Sequence, residues 1–120
     1  MPSLSIIIPC LGDAAEFDGT LVSVLQHRPA DCEVIVVHRL PYDDPYDLGD
    51  EVRFLHWPGT SLVELLNAAI AEADGEVLHL VGCGLEATEG WTAAACAHFD
   101  DPEVSAVAPV VFNADRQAIV

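Results

Sequence analysis

Apolar and polar positions along this chain switch between two periods. Residues 4–8 (LSIII) form a continuous apolar run rich in β-branched side chains and closed by Pro9, the pattern of a strand buried on both faces. Residues 33–37 (EVIVV) repeat that pattern. Between the two runs, Leu21, Val24, Leu25 and Arg28 recur at helical spacing, which predicts a helix capped by Asp18, running to about His27 and closed by Pro29. A loop rich in Pro, Asp and Gly follows (HRLPYDDPYDLGDE). The alternating run at residues 52–56 (VRFLH) then reads as a third, more peripheral strand.

The second half keeps the rhythm. Ser61 and Glu64 make a capping box ahead of LVELLNAAIAEA, whose inner stripe is Leu62, Leu65, Leu66, Ala69, Ile70 and Ala73, with Gly75 as the stop. Residues 76–81 predict a fourth strand, Thr88 caps a helix to about Phe99, and residues 104–111 predict a fifth strand. Strands joined by helical crossovers imply an α/β fold: an open, mostly parallel, Rossmann-like sheet with helices on both faces, in one domain over residues 1–120. Such sheets bind ligands at the carboxyl ends of their strands. The turns of interest are therefore residues 9–13, 38–44, 56–60 and 82–86.

Composition narrows the function. A mean hydropathy of +0.35 over 120 residues is that of a folded chain with its own core. No apolar run approaches the ~20 residues that span a bilayer, and the N-terminus lacks a basic leader, so a cytoplasmic protein is expected. Asp and Glu number 20 against 4 Arg and no Lys, a formal charge of −16, which excludes a nucleic-acid partner. The same imbalance means that a bound nucleotide would depend on backbone N–H groups, an added cation or Arg. The four cysteines, Cys10, Cys32, Cys83 and Cys96, contain no CxxC pair and read as free thiols.

Two nucleotide motifs fail. The first turn (PCLGDA) has one glycine rather than GxGxxG, and a phosphate-binding loop lacks its Lys. The stretches LSIIIPCLGDAAEFDGTLVSVLQ, CEVIVVHR and LVELLNAAIAEADGEVLHLV followed by EGW, in that order and spacing, instead resemble the N-terminal, nucleotide-sugar-binding half of a GT-A fold, family 2 glycosyltransferase. The resemblance runs over residues 3–111.

It implies a sheet of order 3-2-1-4 and hexose transfer from a nucleotide-sugar to an acceptor. It also implies a first turn that packs around the donor, an acid ending the second strand that contacts the base, and an Asp-x-Asp after the fourth strand that holds Mg²⁺ or Mn²⁺ on the diphosphate. The candidate nucleotide-sugar-binding positions are then Pro9, Cys10, Leu11, Asp13, His38, Arg39, Gly82, Cys83 and Gly84. The second-strand acid falls on His38, and the two metal-binding acids fall on Gly82 and Gly84, which carry no ligand atoms. The metal expected of the family therefore lacks its side chains in this degenerate motif.

The family's acceptor-binding half and catalytic base would lie beyond residue 111, so no catalytic residue is assigned. Either the chain is truncated before that half, or it is a non-catalytic binding or scaffolding domain, dimeric in that case. Transfer activity of this chain alone is expected to be weak or absent. The implied strand order also lines up His56, His38, Cys10 and Cys83. Strands about 4.8 Å apart spread these over about 14 Å, so at most three of them, Cys10, His38 and Cys83, converge on a Zn²⁺. His79 reads as a core histidine, Trp57 and Trp91 as packing residues, and Tyr42 and Tyr46 as aromatics that pin the acidic loop.

Overall fold

The computed structural model describes residues 3–12, 14–42, 44–45 and 47–108. Strands β1 (Leu4–Cys10), β2 (Cys32–His38), β3 (Arg53–His56) and β4 (Val77–Leu80) form one sheet of order β3-β2-β1-β4, and every pairing in it is parallel. Helices α1 (Ala14–Gln26), α2 (Leu62–Glu72) and α3 (Ala93–His98) complete the described elements. The order is the one the resemblance implies.

The two apolar runs are the central strands, and each face of β1 and β2 meets a separate core. Ile6, Ile8, Val34 and Val36 pack with Phe17, Leu21 and Val24 of α1 and with Cys96 of α3. Ile7, Ile35 and Val37 on the opposite face pack with Leu65 and Ala69 of α2. Period-two alternation in a doubly covered sheet requires both sets to be apolar, which is why no polar rhythm shows in these runs.

Several expected boundaries move, each for a local reason. β1 does not close at Pro9: its pairing with β2 continues to Cys10, opposite His38. On the β4 side the pairing stops at Ile7 with Leu80, because Pro9 has no N–H to give. α1 begins a turn earlier than expected, at Ala14, so Asp18 lies inside the helix and accepts from Tyr42 Oη at 3.2 Å instead of capping. The inner stripe of α2 is narrower than predicted. Leu65 and Ala69 are buried and Leu66 and Ala73 half-buried, while Leu62 and Ile70 are exposed.

The capping box on α2 forms in part. Ser61 Oγ accepts from Glu64 N at 3.2 Å, but Glu64 Oε2 reaches back to Thr60 N at 3.1 Å rather than to Ser61. Thr88 does not start α3; Gly90, with φ of 72°, cannot continue a right-handed helix, and Thr92 becomes the N-cap. The expected fifth strand is not seen at residues 104–108, which pair with no strand, and residues 109–111 lie outside the described residues.

Gly75 is not a left-handed helix stop either. Its amide donates to Ser5 Oγ at 2.8 Å, and a Cβ there would stand 2.6 Å from the Ser5 backbone nitrogen. Ser5 Oγ donates in turn to Glu33 at 2.7 Å; Glu33 accepts also from the Asp74 amide at 3.0 Å and pairs with Arg53. One carboxylate thus joins the amino ends of β1, β2 and β3 to the segment entering β4.

Candidate functional site

Parallel register brings the carboxyl ends of the strands together. Cys10 stands opposite His38, and His38 opposite His56. The ladder extends one step beyond the strands, with Arg39 N donating to Cys10 O at 3.1 Å and Trp57 N to His38 O at 3.0 Å. Pro9, Cys10, Leu11, His38, Arg39, Gly82, Cys83 and Gly84 all lie on or just past this edge. Asp13 lies outside the described residues, as does Tyr46.

His38 and His56 stack with ring centres 5.3 Å apart and 17° between planes. His38 Nδ1 lies 2.7 Å from Leu40 O, and His56 Nε2 lies 3.0 Å from Arg39 O. A carbonyl only accepts, so those two nitrogens carry the protons. In the neutral rings His38 Nε2 and His56 Nδ1 are then acceptors. A histidine held in this tautomer supplies one acceptor where a carboxylate would supply two oxygens.

Beneath the pair, Tyr42 packs edge-on against Phe17 at 5.1 Å and stacks on Phe54 at 5.3 Å. This loop aromatic is part of the core rather than a free stacking platform. Among the buried side-chain nitrogen and oxygen atoms described, Arg39 Nε alone has no hydrogen-bond partner.

The glycine turn after β4 is fastened to α1. Val81 N completes the ladder to Ile7 O at 2.9 Å. At the next rung the Cys83 thiol, rather than a backbone N–H, donates to Pro9 O at 2.8 Å. Gly84 N donates to Thr20 Oγ1 and Ala87 N to Ser23 Oγ, both at 2.9 Å, and Trp91 Nε1 donates to His27 O at 3.1 Å. Thr20 and Ser23 are buried hydroxyls on the inner face of α1, and the sequence reading assigned them no part. Their signal was two polar residues three apart on the stripe of Phe17, Leu21 and Val24.

Gly82 and Gly84 supply no side-chain metal ligand. Gly82 and Gly84 are exposed, and Gly84 has φ of 90° with the Glu16 carboxylate near the place of a Cβ. Among the described residues no group of three or more His, Cys, Asp or Glu is placed to hold a metal ion. Among the described residues the side chains therefore assemble no site for the Mg²⁺ or Mn²⁺ that the resemblance implies, and the Cys10, His38 and Cys83 alternative does not form a ligand cluster. All four cysteines are thiols.

A depression of 370 Å³ beside α1 is lined by Asp18, Gly19, Val22, Ser23, Gln26 and Glu86. Its two carboxylates make it a poor host for a diphosphate. No helix among the described residues is long and apolar enough to cross a membrane.

No protein-family profile matches the chain, and no curated protein matches it. Solved structures do. The mannosyltransferase PcManGT of Pyrobaculum calidifontis, in complex with GDP-Man and Mn²⁺, aligns with a TM-score of 0.72 and 20% identity, over 86% of this chain and 34% of that one. TarS of S. aureus aligns with a TM-score of 0.65 and 17% identity, over 92% of this chain and 24% of that one. Its fragment 1–349 gives 0.67 and 16%, over 92% and 40%. The fold is that of GT-A-type glycosyltransferases and fits their N-terminal half, and this chain spans between about a quarter and two fifths of the length of these proteins.

Proposed function

We propose that the chain is a nucleotide-sugar-binding domain of family 2 glycosyltransferase type whose carboxyl edge receives the donor without a side-chain metal site. The observation that supports this best is the convergence of Pro9, Cys10, His38, Arg39 and residues 82–84 on one edge of a 3-2-1-4 sheet. A solved neighbour of the same fold carries GDP-Man and Mn²⁺. The ancestral reaction is hexose transfer from a nucleotide-sugar. Glycine at positions 82 and 84 removes the carboxylates that would hold a charge-neutralising cation on the departing diphosphate, so this chain alone transfers sugar weakly or not at all. The domain is a cytoplasmic one over residues 1–120, without nucleic-acid partners.

A second reading, a non-catalytic scaffold that dimerises, draws on the exposed Leu78 and Leu80 of edge strand β4. Titration calorimetry with UDP and GDP, with and without Mn²⁺, separates the two. Binding that does not require Mn²⁺ supports the donor site. Absence of binding supports the scaffold, and Mn²⁺-dependent micromolar binding overturns the degenerate-metal account.

A further inference from the structure

We propose that Arg39 is the anion anchor of the carboxyl edge, taking a phosphate group of the ligand directly on its guanidinium with no divalent cation between them. This deepens the nucleotide-sugar reading and rests on it. Three observations carry it.

The first is hydrogen bonding. Arg39 Nε is buried with no partner among the described residues, and the guanidinium enters no ion pair there. A buried donor of a charged group is costly to leave unpaired, so the guanidinium is not satisfied by the described residues around it.

The second is the distribution of positive charge. Arg28 donates to the backbone oxygens of Glu51 and Cys32, and Arg53 is held by Glu33 and Glu72. Both lie at the amino ends of β2 and β3. Arg116 lies outside the described residues. Among the described residues Arg39 is therefore the one Lys or Arg at the carboxyl edge, where an open parallel sheet takes its ligand. In a chain of formal charge −16, that placement sets the one local attraction for an anion against the general field.

The third is rigidity. The backbone of Arg39 is fixed on both sides, its N–H donating to Cys10 O at 3.1 Å and its carbonyl accepting from His56 Nε2 at 3.0 Å. A planar guanidinium presented from a fixed backbone suits two-point contact with a phosphate, and its charge stands where a cation would otherwise be needed.

The test measures the binding of inorganic pyrophosphate, UDP and uridine to the wild-type chain, Arg39→Met and Arg39→Lys by calorimetry, in EDTA and again in Mn²⁺. Met keeps the apolar stem, and a thermal melt of each variant confirms folding. The expected result is UDP and pyrophosphate binding that changes less than about threefold between EDTA and Mn²⁺. Arg39→Met should weaken both ligands by at least about tenfold, and Arg39→Lys should restore part of the loss. Uridine binding should not change.

If UDP binds wild type and Arg39→Met equally, the anchor is wrong while the nucleotide reading stands. If pyrophosphate depends on Arg39 but UDP binds no better than pyrophosphate, the anchor stands and the nucleotide reading falls. If no anion binds, both fall.

Discussion

Gly75 and Ser5 lie in such close contact that a Cβ on the glycine would stand 2.6 Å from both the nitrogen and the Oγ of the serine. The contact lets the Gly75 amide reach Ser5 Oγ and brings the entry of β4 against the start of β1. Gly75→Ala must push backbone against backbone, at a cost of about 1–3 kcal/mol. Urea denaturation should show the loss, with Ser5→Ala, which removes the shared hydroxyl, losing about 1–3 kcal/mol as well. An unchanged midpoint in Gly75→Ala would show that the contact relaxes freely.

Acid should remove stability in two steps. Burial holds His79 below its ordinary 6.5, so the unfolded chain takes the proton first. That contribution is complete above about pH 6.5 and declines as the pH falls from there through the folded value. Glu33 has an ordinary value of 4.5. Burial raises it, but the Asp74 amide, the Ser5 hydroxyl and Arg53 together outweigh burial and hold it lower. Its contribution is complete above pH 4.5 and is lost as the pH falls below that. Denaturation curves across this range should lose the upper step in His79→Phe and the lower step in Glu33→Gln.

Acids introduced one at a time at the two turn glycines should give unequal results. A Cβ at Gly82 meets only Leu85 Cδ1, at 3.9 Å, so Gly82→Asp is accommodated and leaves the melting temperature nearly unchanged. Gly84 has φ of 90° and lies by the Glu16 carboxylate, so Gly84→Asp adds backbone strain and like-charge repulsion. The cost should be about 1–3 kcal/mol, a fall of several degrees in a thermal melt. Equal melting temperatures would contradict this assignment.

Thr20→Val leaves the Gly84 amide without its acceptor while keeping the shape of the side chain. Hydrogen exchange at Gly84 and Ala87 should quicken, and stability should fall by about 1–2 kcal/mol. Unaltered exchange would mean that the loop is held elsewhere.

The sheet was legible because runs such as LSIII and EVIVV encode double burial directly, and the resemblance implied their order. The ends of elements were less so. Pro9 suggested a strand end, but it lacks only a bond toward β4, and Thr88 looked like a cap until Gly90 took a positive φ two residues later. Residues 104–108 carry a strand-like pattern but find no neighbour among the described residues, since a strand needs a partner as well as a propensity.

Of the expected row of His56, His38, Cys10 and Cys83, the strand register puts the first three opposite one another, while Cys83 lies past the paired part of β4. The hydroxyls of Thr20 and Ser23 were missed because they act through folding, on a loop more than sixty residues away in sequence.

The central claim is that a nucleotide is received at the carboxyl edge without a metal. Titration of UDP into ¹⁵N-labelled protein, followed by amide chemical shifts in EDTA, tests it most directly. The account predicts saturable shifts concentrated on Cys10, Leu11, Gly12, His38, Arg39, Leu40 and residues 82–84, and the same pattern when Mg²⁺ is added. Shifts centred on Asp18, Ser23 and Gln26, or shifts that arise only with the cation, would contradict it.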